Sequence, residues 1–367
     1  MLARLTRLAA AALAGLAVLP AHAEDKVVNV YNWSDYIAKD TLETFTRETG
    51  IKVKYDTYAD NEILDTKLSA GKSGYDVVFP SASPFFAAQV KAGMYQPLDV
   101  ARLPNAAGLD KGVMANLAKV DPGNRFGVPY MMAATGFAYN VDKIGKAMPD
   151  APVDSWAMLF DPAVVSRFKG CGVSLLDTPT EAVPAMQIYR GKDPQVQNAD
   201  SLAAAMEALT PLRPNYRYVN SERYRADLAN GDICLAHGYV GDLVQSRSRA
   251  AEAKKKQDIA IVIPKEGALV NIDVMAIPAD APHPEAAHAF INFILRPDVI
   301  AGITNEVGYA NAVPAAMDKT DPAIAKDPVI FPPAAVQAKL HTPPPPAGRD
   351  YDRARSRAWS KFRAAKK

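Results

Sequence analysis

Hydrophobic positions in the N-terminal third switch repeatedly between two spacings. Val27 to Asn32 is a short apolar run that predicts a strand. Asp40 then opens a helix, with Glu43 three residues on as its capping-box partner and Gly50 at its end. Leu42, Phe45 and Thr49 fall on one face of that helix. Ile51, Val53 and Tyr55 alternate with Lys52 and Lys54, the pattern of a half-exposed strand. Asn61 to Ala70 reads as a second helix, carrying Ile63, Leu64 and Leu68 and stopped by Gly71. Tyr75 to Phe79 is a continuous apolar strand that ends at Pro80. This alternation of strands and helices predicts a largely parallel α/β sheet.

The rest of the chain keeps the alternation. Phe126 to Tyr130 and Gly136 to Asn140 read as two strands flanking a crossover. Helices follow around Ser201 to Leu209, Ser221 to Ala229 and Gly241 to Ala253. Ile259 to Ile263 and Asp273 to Ile277 are further strands. Glu285 to Leu295 is a helix with Ala286, Phe290, Phe293 and Ile294 on its apolar side. Pro343 to Pro346 is a polyproline connector. It leads to a basic terminal helix holding Arg353, Arg355, Arg357 and Trp359, whose charges read as a solvated face. No internal repeat or flexible linker divides the chain, so two α/β lobes joined by strand crossovers fit the pattern.

Residues 1–23 break this pattern. Arg4 and Arg7 precede a short apolar run, Leu8 to Leu19, and Ala21-His22-Ala23 is a small-residue cleavage site. That is the layout of a secretory signal peptide, cleaved after Ala23. The run is too short for a spanning helix, and no later stretch qualifies. Export gives the two cysteines of the chain a meaning. Cys171 and Cys234 each adjoin a strand-like run, and in an oxidising compartment they read as a disulfide between neighbouring strands. Two buried free thiols are the alternative.

The 367 residues are 49% apolar and 22% charged, which excludes a disordered chain and a polytopic membrane protein. The formal net charge is +2, with no basic excess of the kind nucleic acid requires. Reaction motifs are scarce. There is no Gly-x-Ser-x-Gly, His-Glu-x-x-His or Gly-x-Gly-x-x-Gly. Ala70-Gly71-Lys72-Ser73 lacks the earlier glycine of a phosphate loop and closes a helix instead of opening one. His237, His283, His288 and His341 show no metal-ligand or triad spacing. No enzyme, cofactor or metal site is expected.

Aromatic residues and carboxylates instead gather where strands end. Trp33, Ser34, Asp35 and Tyr36 follow the first strand, and Ser81 and Ser83 follow a later one. Glu181 and Tyr239 with Asp242 follow strands in the same way, and Tyr309 comes after the long C-terminal helix. Ligands of open α/β sheets bind outside the carboxyl ends of strands. Rings offer a negative face to cations and a wall to methylenes, and carboxylates accept charge-assisted hydrogen bonds from ammonium groups. A ligand with positive ends and an apolar middle, a linear polyamine, suits them.

Tyr31-Asn-Trp-Ser-Asp-Tyr-Ile37, Glu48-Thr-Gly-Ile-Lys-Val53 and Tyr75-Asp-Val-Val-Phe-Pro-Ser-Ala-Ser83 resemble the periplasmic polyamine-binding proteins of ABC importers. Asp227 to Cys234, Ile263 to Gly267, Leu295 to Asp298 and Gly308 to Asn311 resemble the same family, nearest its putrescine-binding branch. The resemblance implies a two-lobed periplasmic binding protein fold of type II, with the ligand cleft between lobes. Residues 24–134 and 260–305 would form lobe 1, and 135–259 and 306–367 lobe 2. Trp33, Tyr36, Tyr239 and Tyr309 would be cleft walls. Ser34, Asp35, Ser81, Ser83, Glu181, Ser221 and Asp242 would be polar contacts, and Asp273 would hold an amino terminus. The family's usual aromatic residues are replaced by Asn271 and Met132, which makes these two candidates for altered specificity among putrescine, spermidine, cadaverine and agmatine. A same-fold protein for another ligand, such as an amino acid, is the rival reading. The implied partners are a polyamine and an inner-membrane ABC permease. The protein would be a monomer in the periplasm, without nucleic acid.

Overall fold

The computed structural model describes residues 26–254 and 257–365, so the expected signal peptide, residues 1–23, lies outside the described residues. Eleven strands occur among them: β1 Val27–Trp33, β2 Lys52–Tyr58, β3 Val77–Val78, β4 Gly127–Asn140, β5 Val173–Leu175, β6 Tyr218–Val219, β7 Leu235–Tyr239, β8 Ile259–Val262, β9 Ala268–Ala276, β10 Ala310–Asn311 and β11 Leu340–His341. Among the described residues no single helix is long and apolar enough to cross a membrane.

The two strands expected at 126–130 and 136–140 are one 14-residue strand, β4. Its first part pairs antiparallel with β9, from Gly127 opposite Ala276 to Ala134 opposite Val270. Its second part pairs antiparallel with β7 and β8. One strand therefore serves two sheets. The first sheet runs β2-β1-β3-β9-β4, with β2, β1 and β3 parallel. The second runs from β4 through β7 and β5 to β6. The chain passes between sheets again between β8 and β9. Gly136 sits at the crossing, where a Cβ would lie 2.2 Å from the Val262 carbonyl oxygen. Any side chain there would push the two strands apart.

Alternation along the strands buries both faces of each sheet. In the first, Val28, Val30, Val77 and Phe79 meet Phe45, Phe290, Ile294 and Ile303 on one side. Tyr31, Val78 and Val274 meet Leu64 and Phe86 on the other. In the second, Leu235, Leu175 and Phe137 pack with Trp156, Phe168 and Phe362. Ala236 and Ala138 pack with Tyr224, Leu228 and Leu243.

This pairing shifts the lobe boundaries from those expected. Residues 259–262 pair with the second-lobe part of β4, and Ala268 and Leu269 still pack in the core of that lobe, so we place the return to lobe 1 after Leu269 instead of at 260. Residues 310–311 pair with the first-lobe part of β4, and Ala312, Val313 and Ala316 join the core of that lobe. We therefore place the last passage after these residues, not at 306.

Three local expectations also change. Asp40 precedes the helix Thr41–Thr49, but its backbone is already helical and its side chain makes no capping bond. The carboxylate that does cap is Asp60, which accepts from the Ile63 N–H at the helix Asn61–Ser69. The strand expected at 75–79 is reduced to two paired residues, and β9 starts five residues before Asp273. The terminal helix, Arg349–Ala364, exposes Arg353 and Arg357, while Trp359 is buried and donates to Asp177. Cys171 and Cys234 are bonded, with Cα atoms 5.5 Å apart, just ahead of the parallel neighbours β5 and β7.

Candidate functional site

The carboxyl ends of β1, β2 and β3, and of β5 and β7, open onto one cleft between the lobes. Its cavity is about 380 Å³. The turn after β1 carries Trp33, whose indole N–H donates to the Phe79 carbonyl at 2.7 Å. Tyr58, at the end of β2, donates to the same carbonyl at 2.6 Å. Two donors on one acceptor fix both rings, with centroids 4.8 Å apart, as an aromatic wall.

Asp273 stands in the middle of β9 and forms an antiparallel bridge with Ser81, just after β3. Its carboxylate accepts from Ser81 Oγ at 2.6 Å and from the Tyr36 hydroxyl at 2.7 Å. It is only 5% exposed. Burial pushes this carboxyl up to about 6, against the opposing pull of those two hydrogen bonds. Tyr36 itself meets Tyr309 edge to face at 4.9 Å.

Asp242 occupies the first turn of the helix Val240–Glu252, directly after β7. Tyr309 donates to it at 2.9 Å and accepts its backbone N–H at 3.2 Å, and Tyr224 donates to its other oxygen. The neighbouring Gly241 makes this possible, since a Cβ there would lie 2.1 Å from the Tyr309 ring.

Glu181 is the third interior carboxylate. It lies in the first turn of the helix Pro179–Tyr189 and is 4% exposed. One oxygen accepts from Asn271 Nδ2 at 2.9 Å, and the other has no hydrogen-bond partner. Burial, with the Asp273 charge adding to it, pushes Glu181 up to about 8 despite the Asn271 bond. Ser221 accepts the Asp177 N–H at 2.9 Å beside this helix start.

Eleven of the twelve expected contacts therefore share one cavity lining: Trp33, Ser34, Tyr36, Ser81, Ser83, Glu181, Ser221, Tyr239, Asp242, Asp273 and Tyr309. Asp35 does not. Its carboxylate pairs instead with Arg249 at 3.2 Å and with Arg225 at 3.5 Å, both on the second lobe. Asn271 lines the cavity, but Met132 points to the other side of β4 and its neighbour Ala133 takes the place. Side chains alternate along a strand, so a one-residue offset reverses the face.

Several lining residues escaped the sequence, Tyr58, Pro343 and Arg225 among them. Tyr58 ends a strand just as Trp33 does, and the same rule could have found it. Pro343 comes from the connector before the last helix, far from every motif. Arg225 lies on the helix Tyr224–Asn230 and is half-buried 3.7 Å from Asp242. Six carboxylates, those of Asp60, Glu62, Glu181, Glu222, Asp242 and Asp273, face this one guanidinium among the described lining residues. The cleft is thus set for a cation with an apolar stem. His237, the sole histidine near these segments, lies in the core against Trp156, and burial drives it down to about 3, so it is neutral and no base for the cleft. Among the described residues no group of three or more His, Cys, Asp or Glu could hold a metal ion.

Comparison with known proteins bears on this cleft. The pattern of the family described as bacterial extracellular solute-binding protein matches residues 40–332. The chain is 50% identical over 345 residues to the putrescine-binding periplasmic protein SpuD of Pseudomonas aeruginosa, covering 94% of each chain. It is 47% identical over 364 residues to the putrescine-binding periplasmic protein PotF of Escherichia coli, covering 99% of this chain and 98% of that one. The substrate-binding protein PotD of a spermidine/putrescine ABC transporter from Streptococcus pneumoniae superposes with a TM-score of 0.75 at 23% identity, over 92% of this chain and 98% of that one, which establishes the shared two-lobed fold.

Proposed function

The chain belongs to the bacterial extracellular solute-binding proteins, and from that premise we propose that its cleft binds putrescine or a related linear amine in the periplasm. It is a binding protein, not an enzyme, and the substrate-binding component of an ABC transporter. It acts as a monomer without nucleic acid and hands the amine to an inner-membrane permease. The observation that carries the reading is the paired carboxylates, Asp273 from the first lobe and Asp242 from the second, each held by tyrosine hydroxyls in an aromatic cleft.

Each carboxylate would take one ammonium, while Trp33, Tyr36, Tyr239 and Tyr309 would flank the methylenes. The hydroxyl hydrogens of Tyr36, Ser81 and Tyr309 point at the carboxylates, so the hydroxyl lone pairs and the remaining carboxylate lone pairs are left to accept ligand protons. Because the two carboxylates sit on different lobes, only a closed cleft satisfies both ends of a diamine. Asn271 donates to Glu181 where relatives would place a ring, and the free Glu181 oxygen is an acceptor without a donor. That favours including spermidine and agmatine beside putrescine and cadaverine in the test.

Titration calorimetry with these four amines is the decisive experiment. At least one is expected to bind, with a smaller radius of gyration by small-angle scattering when the cleft is saturated. Absence of heat with all four would overturn the reading.

The same measurement carries a pH signature. In the empty cleft Asp273 and Glu181 titrate near 6 and 8, above their values in an unfolded chain. The folded protein therefore holds protons that the unfolded chain has released. The stability these two groups contribute is complete below about pH 4 and is lost as pH rises through about 6 and then 8. A bound ammonium favours the charged forms, so binding should release protons at pH 7. Heats in two buffers of different ionisation enthalpy would reveal that release. Affinity is expected to fall roughly tenfold or more from pH 7.5 to 5, as Asp273 gains its proton.

A further inference from the structure

The connector before the last helix crosses the mouth of the cleft. Four consecutive prolines, Pro343 to Pro346, have no N–H and cannot join a helix or a sheet interior. Their carbonyls still need donors. The segment is fixed to the second lobe at several points. Leu340 and His341 pair with Ala268 and Leu269 at the start of β9, two residues that pack in the second-lobe core. Gln195 Nε2 donates to the Thr342 carbonyl at 2.7 Å and Gln197 Nε2 to the Pro345 carbonyl at 2.6 Å. Trp359 and Phe362 of the following helix are buried in the second-lobe core.

Between these anchors, the Pro344 carbonyl turns the other way. It accepts a hydrogen bond from Ser83 Oγ at 2.9 Å. Ser83 belongs to the first lobe, next to Ala82 and Phe86 of its core, and is 8% exposed. A serine hydroxyl has one hydrogen to donate, and here it goes to the strap instead of into the cavity.

Building on the proposed function, we infer that the Thr342–Pro345 strap is a closure contact, carried by the second lobe and fastened to the first through Ser83, so that Ser83 acts on ligand binding by stabilising the closed cleft and not by touching the ligand. A polyproline segment suits this role because it is already stiff, and little entropy is lost when it docks.

The two roles separate in a ligand series. A contact with the ligand depends on which ligand is bound. A closure contact changes the fraction of protein in the competent state, and this multiplies every affinity by the same factor. Putrescine, cadaverine and spermidine are the probes, with the full chain, calorimetry for affinity and stopped flow for dissociation. Ser83→Ala is expected to weaken all three by one common factor, about twofold to tenfold for a single hydrogen bond, chiefly through faster release. Gln197→Ala touches neither ligand nor first lobe, yet should weaken all three in the same common way. The Ser83→Ala/Gln197→Ala double variant should lose no more than Ser83→Ala alone, because both act through one contact. A Ser83→Ala loss that differs more than threefold among the amines, no loss at all, or an additive double variant would overturn the strap while leaving amine binding intact. A wild-type protein that binds none of the three would overturn both readings.

Discussion

Replacing Asp273 with asparagine is expected to weaken putrescine binding about a hundredfold or more at pH 7.5. The carboxylate is 5% exposed and held by two hydroxyls, so an ammonium paired with it is largely desolvated. Removing one partner of such a pair strands the other charge, which costs roughly 3–5 kcal/mol. Each 1.4 kcal/mol is about tenfold in affinity. Asparagine keeps the shape and can still accept from Ser81 or Tyr36, so the loss should appear in binding and not in folding. The empty variant should melt at or slightly above the wild-type temperature at pH 8, because the wild type carries a buried charge there that the variant lacks. Calorimetric titration and scanning calorimetry check the two halves. An affinity within threefold of wild type would remove Asp273 from the site.

Loss of the disulfide should act in the opposite way, on stability with little effect on binding. Cys171 and Cys234 enclose a loop with a sequence separation of 63. Closing a loop of that size restricts the unfolded chain by about 4 kcal/mol in the chain-entropy model. The bond lies ahead of β5 and β7, while the cleft residues Glu181, Tyr239 and Asp242 follow their far ends. The Cys171→Ser/Cys234→Ser double variant should therefore melt roughly 10 °C lower, at 2–4 °C per kcal/mol for a lobe of this size. Its putrescine affinity should stay within about threefold. An unchanged melting temperature would mean that the bond does not restrain the unfolded ensemble, and a large loss of affinity would mean that it shapes the cleft.

The relation between these predictions and the sequence is uneven. Short-range pattern found the longer strands and seven of the helices, but missed others such as Pro179–Tyr189 and Pro297–Val307. Apolar spacing is imposed locally, by which residues must face a sheet or helix neighbour. It failed where two segments became one: β4 was read as two strands because Ala133, Ala134 and Thr135 carry no strong apolar signal. It also failed at Asp40, where a capping residue was present but the backbone was already helical.

The site was legible for a related reason. Residues at the carboxyl ends of parallel strands converge wherever the strands are neighbours, so Trp33, Ser81, Glu181 and Tyr239 could be named from order and type. The proposed polyamine class rests on carboxylates mixed with rings. The fate of each side chain did not follow. Asp35 and Tyr36 are adjacent in sequence, yet Asp35 leaves the cavity lining and pairs with Arg249 and Arg225, while Tyr36 holds Asp273 inside it. Met132 and Ala133 divide in the same way across β4.

The sequence by itself thus determined the α/β class, the cysteine pair and the convergence of carboxylates with aromatic rings on which the proposed cationic ligand rests, because each depends on residue type at local or strand-end positions. Only the tertiary structure decided that Asn271 pairs with Glu181, that Arg225 sits beside Asp242, and that Pro344 fastens to Ser83. Those contacts join residues 90, 17 and 261 positions apart. They exist because two sheets share one strand and fold the chain's last segment back over the mouth of the cleft, an arrangement that no local periodicity encodes.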